Sequence, residues 1–256
     1  MPNKSVSILG VPIFNGSLSD LLDNFSKAIE SNKKLRVCVT PVNNVIWAQK
    51  DERLKKLYKT ADYCTADGVP LVWASRWLGN PIASRSTGYD ILPEYAKIAE
   101  ENNYSFYFLG GAEGVGEDAK ANLLKTYPKL NISGIYSPPY KKEFSEEDID
   151  VMASKINESN PNVIWVCMTA PKQDFLIAAL LPKINANIAI GIGASLDVVA
   201  GRFKRPPKWI QNNGLEWLYR LVNEPKRLFR RYVIEAPQFI PLIVKQIIKE
   251  KIQSKK

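Results

Sequence analysis

Short runs in which apolar residues fill consecutive positions alternate along this chain with longer stretches in which they recur every three or four. The first kind occurs at 35–40 (LRVCVT), 104–109 (YSFYFL), 132–136 (ISGIY), 163–168 (VIWVCM) and 188–192 (IAIGI). These runs have strand length, and several are apolar on both faces, as in a strand buried between two layers. The second kind occurs at 18–30, where Leu18, Leu21, Leu22, Phe25, Ala28 and Ile29 form one stripe, and at 69–78, 88–101, 115–127, 146–159 and 173–181. Strand-helix alternation predicts an α/β fold, a mostly parallel sheet with helices on both faces. Ligands in such folds bind beyond the carboxyl ends of the strands. Attention therefore falls on 40–44, 67–68, 110–116, 170–173 and 193–201.

From about Arg202 the strand signal stops. Beyond Pro241 the apolar residues Leu242, Ile243, Ile247, Ile248 and Ile252 recur at helical spacing, with Lys245, Lys249 and Lys251 among them. The expectation is a core over 1–201 and a helical appendage over 202–256 with a basic, amphipathic end.

Charge follows the same boundary. Of the 256 residues, 1–200 hold 21 Lys and Arg against 22 Asp and Glu, whereas 201–256 hold 14 against 4. The whole excess of the net +9 thus lies in the appendage, which points to an anionic partner: phosphate groups, nucleic acid or an acidic membrane surface. A merely solvated basic tail fits less well, because the segment is also rich in aromatic and aliphatic residues. The chain has no histidine, so a Ser-His-Asp or Cys-His nucleophile and an imidazole metal site are excluded. Cys38, Cys64 and Cys167 lie in apolar runs, as buried free thiols of a reducing compartment do. No signal peptide and no membrane-spanning run of ~18 apolar residues is expected.

Three places could carry chemistry. Gly110-Gly111-Ala112-Glu113-Gly114-Val115-Gly116 follows a strand and opens a helix, either as a phosphate-contacting turn or as a plain tight turn. Asp67-Gly68 follows the strand-like run DYCTA, so Asp67 is either a helix cap or a general base. Arg220, Arg227, Arg230 and Arg231 stand at helical or near-helical spacing across Pro225. They offer planar forks matched to phosphate oxygens, or a surface ladder paired with Glu216 and Glu224.

The string GLEWLYRLVNEPKRLFRRY (214–232) resembles the C-terminal signature of the WecG/TagA/CpsF glycosyltransferase family. Matching segments precede it in order: TPVNNVIWAQ (40–49), ADG (66–68), RSTGYDIL (85–92), FLGGAEGV (108–115), APKQD (170–174) and GIGASLDVVAGRFKRPPKW (191–209). The resemblance covers nearly the whole chain. It implies a Rossmann-like, inverting, metal-independent transferase with a C-terminal appendage that completes the site at the membrane. The implied donor is a UDP-sugar of N-acetylmannosamine type, its uronic acid, or glucose. The implied acceptor is a sugar on a polyprenyl diphosphate at the cytoplasmic face of the membrane, in teichoic acid or other surface polysaccharide synthesis. By the same resemblance Asp67 is the base with Thr40 beside it, Gln173 and Asp197 line the donor pocket, and Arg220, Arg227 and Arg230 hold diphosphate. Asn43, Arg85, Gly110, Gly111, Tyr140 and Arg205 complete the implied substrate contacts.

No cofactor and no metal are expected, because arginines can neutralise a departing diphosphate in a metal's place. The expected partners are the two substrates and an anionic membrane surface, without nucleic acid; a homo-oligomer is left open. Three departures from the family pattern bear on the donor: Val42 intervenes after Thr40-Pro41, Cys167-Met168-Thr169 replaces the usual Gly-x-Gly, and Asp174 replaces a glutamate. The rival classes are a nucleic-acid-binding module using the basic segment and an inactive scaffold of a polysaccharide assembly complex.

Overall fold

The structure, a computed structural model, describes residues 4–253. Eight strands form one sheet: β1 (Ser5–Ile8), β2 (Val11–Phe14), β3 (Leu35–Pro41), β4 (Tyr63–Asp67), β5 (Ser105–Gly110), β6 (Asn131–Tyr136), β7 (Val163–Cys167) and β8 (Ile188–Gly191). Their spatial order is β1-β2-β4-β3-β8-β7-β5-β6. Every neighbouring pair is parallel except the β1–β2 hairpin at one edge. The expected α/β class therefore holds. The hairpin was not expected. Its turn puts Leu9 and Gly10 both in the left-handed region (φ 51° and 81°), the geometry of a two-residue hairpin turn, but without the Asn-Gly or Asp-Gly that announces one.

The connections are α1 (Leu18–Glu30), α2 (Val42–Trp47), α3 (Glu52–Lys59), α4 (Val69–Trp77), α5 (Gly88–Asn102), α6 (Val115–Thr126), α7 (Glu146–Ser159), α8 (Lys172–Leu180) and α9 (Ser195–Val199). Successive strand residues point to opposite faces. Val37 and Val39 join Leu21, Phe25, Tyr95, Phe106, Trp165 and Leu196 under α1, α5, α6 and α9. Cys38 and Cys64 join Ile46, Leu54, Leu57 and Leu71 on the other face, under α2–α4. Further along that face, Ile164, Val166 and Ala189 pack beneath α7 and α8. Both faces are covered, which is why the strands read as near-continuous apolar runs.

After β8 no further strand follows among the described residues. The chain continues through α10 (Lys208–Asn212), α11 (Glu216–Asn223), α12 (Pro225–Phe229), a π-helical turn over Arg230–Glu235, and α13 (Phe239–Gln253). α13 returns to the sheet. Phe239 and Ile243 are buried in the same core cluster as Ile8, Ile13 and Leu71, each worth about 1.5–3 kcal/mol in transfer terms. Gln246 donates to the Ser7 carbonyl and accepts from the Leu9 N–H, both at 2.7 Å.

Candidate active site

The carboxyl ends of β3, β4, β8, β7 and β5 open into one cleft of about 1590 Å³, roofed by α11, α12 and the turn at 230–235. Most of the implied site residues line it: Asn43, Asp67, Arg85, Gly110, Gly111, Tyr140, Gln173, Asp197, Arg220 and Arg227.

Asp67 is the last residue of β4, register-paired with Pro41 of β3. It is partly buried, and its carboxylate forms no ion pair among the described residues. Capping of α4 falls away, because Gly68 is the N-cap and the cap has no side-chain hydrogen bond. Burial raises the Asp67 pKa above the ordinary carboxylate value; Arg220, Arg231 and Arg85 oppose that rise and Glu216 reinforces it. Burial makes this carboxylate more basic than usual while the neighbouring guanidinium groups favour its charged form, the combination a general base uses.

Arg85 is brought to the Asp67 side of the cleft because Ser86 donates to the Ala66 carbonyl at 3.0 Å and Thr65 donates to the Ser86 carbonyl at 2.8 Å, laying the 85–87 segment along β4. Arg85 then pairs with Glu216 of α11 at 2.9 Å, a largely buried link between core and roof. Arg220, on the same helix, lies 6.0 Å over the Tyr89 ring.

At the other end, the β5–α6 turn holds Gly110 and Gly111 at φ 93° and 83°. A Cβ at Gly110 would stand 3.0 Å from the Met168 side chain and 3.1 Å from the Cys167 carbonyl, so only glycine leaves this wall open. Gln173 is buried and accepts from the Gly193 N–H at 3.0 Å. Gly191 makes room for it, since a Cβ there would fall 2.7 Å from its amide carbon. Burial raises the Asp197 pKa, with Arg227 opposing. Tyr140 stands at the rim, 93% exposed, with Lys172 beneath its ring. Thr169 also lines the cleft.

Three implied residues are placed elsewhere. Thr40 is fully buried below the floor, and its hydroxyl donates to the Cys38 carbonyl at 2.9 Å. That bond holds the hydroxyl against the end of its own strand. Arg205 pairs with Asp90 at 2.7 Å and lines a smaller pocket of about 270 Å³ beside Tyr89. Arg230 turns outward, 82% exposed at its side chain, and pairs with Glu235 at 3.1 Å. Arg231 takes the place in the cleft expected for Arg230. Its guanidinium lies 5.3 Å over Trp47, and its buried Nε has no hydrogen-bond partner. One signal for it was in the sequence: Arg227 and Arg231 are four apart, as good a helical match as the three between Arg227 and Arg230. The π-helical turn decides between them.

The expectation of metal independence also took the chain to lack an Asp-x-Asp motif, and that is wrong: Asp148-Ile149-Asp150 is one. Asp148 in the first turn of α7 and Asp150 just beyond it do not line the cleft, and they pair with Lys141 at 2.8 Å and Lys183 at 2.6 Å. Asp148 also closes the capping box of α7 with Ser145.

A family profile described as the glycosyl transferase WecG/TagA/CpsF family matches residues 6–253. The chain belongs to that family. Curated relatives of this WecG/TagA/CpsF glycosyltransferase include three proteins named N-acetylglucosaminyldiphosphoundecaprenol N-acetyl-beta-D-mannosaminyltransferase. The Bacillus spizizenii protein is 30% identical over 198 residues, covering 77% of this chain and 74% of the relative. The Bacillus subtilis protein is 28% identical, covering 95% and 92%. The Staphylococcus aureus (MRSA252) protein is 29% identical, covering 98% and 95%. The chain is thus a glycosyltransferase, and no helix among its described residues is long and apolar enough to cross a membrane.

Proposed function

We propose that this enzyme transfers an N-acetylmannosamine-type sugar from a UDP donor to N-acetylglucosamine carried on a polyprenyl diphosphate, with inversion at the transferred carbon. The observation that carries the reading is that Asp67 shares one cleft with Arg85, Arg220, Arg227 and Arg231. At about 1590 Å³, that cleft exceeds the ~300–1,000 Å³ of a site for one small ligand and suits two substrates held together. The nucleotide lies at the Gly110–Gly111 turn, with Gln173 and Asp197 beside the donor sugar. The acceptor approaches from the arginine-lined roof.

The Asp67 carboxylate takes the proton of the acceptor hydroxyl as that oxygen attacks the anomeric carbon. The carbon–oxygen bond to the diphosphate breaks, and UDP leaves with the electron pair. Arginine forks stabilise the charge that builds on the phosphate oxygens, a preorganised contribution that strengthens in a water-poor cleft. The buried, unpartnered Nε of Arg231 supports this role, since an orphaned guanidinium donor is costly until an anion fills it.

Membrane access uses α13. Val244, Ile248 and Ile252 are exposed at four-residue spacing, with Lys245 and Lys249 beside them, the pattern of an interfacial helix on an anionic surface. The site works at the cytoplasmic face, where nucleotide sugars are made.

The test is a donor screen. Purified enzyme, EDTA, UDP-sugars and a short-chain polyprenyl-diphosphate N-acetylglucosamine are combined, and product mass is read. Gain of one N-acetylhexosamine from a single donor is expected. Turnover with none of them, anionic vesicles included, would overturn the reading.

A further inference from the structure

Two tryptophans on α4 stand open to the cleft. Trp73 is 47% exposed and Trp77 57%, four residues apart on one face. Val69, one turn earlier, continues the stripe back to Gly68, beside Asp67, and all three line the cleft. At 1.5 Å per residue the stripe runs about 12 Å from the catalytic end. Pro237, Ile240 and Ile243 line the same cleft. Two large indoles left half in water on adjacent turns form the kind of apolar surface that marks a binding site rather than chance exposure.

Both walls have one order along the chain. On α4, Asp67 comes first and the apolar stripe follows. On the roof, Arg231 comes first, then Pro237 and Ile240. A ligand matching this order has a reactive sugar, a diphosphate and a hydrocarbon, joined in that sequence. We infer that Trp73 and Trp77, together with Ile240 of the same cleft, form a groove for the first isoprene units of the acceptor's polyprenyl chain, and so select a lipid-linked diphosphate over a soluble one. The inference rests on the reading above and assigns it a chain-binding subsite. It is distinct from membrane contact by α13, whose exposed residues Val244, Ile248 and Ile252 do not line the cleft.

The experiment needs no turnover. Inorganic diphosphate and farnesyl diphosphate are titrated calorimetrically into the full chain, into the double variant Trp73→Ala/Trp77→Ala, and into Trp73→Phe/Trp77→Phe. Farnesyl diphosphate should bind the unaltered protein about 10- to 100-fold more tightly than diphosphate, as burial of a few methylenes against indole requires. The alanine pair should shrink that ratio to within about threefold, and the phenylalanine pair should restore most of it. An undiminished ratio in the alanine pair overturns the groove, as does equal loss of both ligands or no gain from the farnesyl group in the unaltered protein. Loss of vesicle binding with an unchanged ratio would make the tryptophans a membrane anchor instead. If farnesyl gain is present but the donor screen yields no product, the transfer reading fails and the groove stands.

Discussion

Asn43, on the first turn of α2, donates its side-chain amide to the backbone carbonyl of Arg231 at 2.9 Å. The bond ties the carboxyl end of β3 to the π-helical turn of the roof, and it sits where Asn43 is 1% exposed. Asn43→Ala leaves that carbonyl unpaired in a buried place, at a cost of about 1–3 kcal/mol. Thermal unfolding should show the loss. Limited proteolysis should cut the 224–238 region faster than in the unaltered protein, and equal cutting would show the roof to be held by other contacts.

Asp67→Asn should lose turnover by about 10²–10⁴ while still binding donor. The pH profile carries the sign. Asp67 works ionised, and burial raises its pKa, so kcat/KM should fall as pH drops through a value above the ordinary carboxylate range. Arg220 is the largest opposing charge, so Arg220→Lys, which keeps that charge, should leave the acid limb near its place, whereas Arg220→Ala should move it to higher pH. An acid limb unmoved by Arg220→Ala would remove Asp67 as the titrating base.

Arg231 and Arg230 are adjacent in sequence and opposite in exposure. Arg231→Ala should cost about 10²–10³ in kcat, the scale of losing one preorganised donor. Arg230 is a surface side chain paired with Glu235, so Arg230→Ala should change kcat less than about threefold. Steady-state kinetics of the two variants side by side would settle which arginine faces the diphosphate; a larger loss from Arg230→Ala would reverse the placement.

Asp174 is fully buried, accepting from Tyr58 at 2.9 Å. Burial pushes its pKa up to about 7, against the hydrogen bonds from Tyr58 and Cys38. With the folded value above the unfolded one, the native state binds the proton more readily, so stability falls as pH rises from about 4 to about 7. The slope is at most about 1.4 kcal/mol per pH unit. Asp174→Asn cannot titrate there and should flatten unfolding free energy measured across that window; an unchanged slope would assign it to other groups.

The parallel core was legible because both faces of β3, β5, β7 and β8 are covered, which leaves an apolar run too dense for a surface strand. The hairpin was not, because Leu9 takes a left-handed conformation that its side chain does not advertise. α2 is six residues long and too short for periodicity to register. α3 does carry the signal, with Leu54, Leu57 and Tyr58 at helical spacing, but its charged residues mask it. Of the site, the strand-end positions of Asp67, Gly110 and Gln173 follow from the α/β pattern, while their roles came from family likeness. Thr40 and Arg230 went astray for one reason: a motif gives residue types and spacing, not which side of a backbone each side chain leaves. Trp73 and Trp77 fall inside the helical stretch 69–78, and helical spacing does not tell that both stay exposed on a cleft wall.

The clasp between Leu9 and Gln246 spans 237 residues. The edge hairpin and α13 are therefore the two sides of one non-local pairing, which local contacts cannot replace. α13 follows directly on the turn that carries Arg231. Undocking that one helix would free the sheet edge and loosen the arginine roof in a single event.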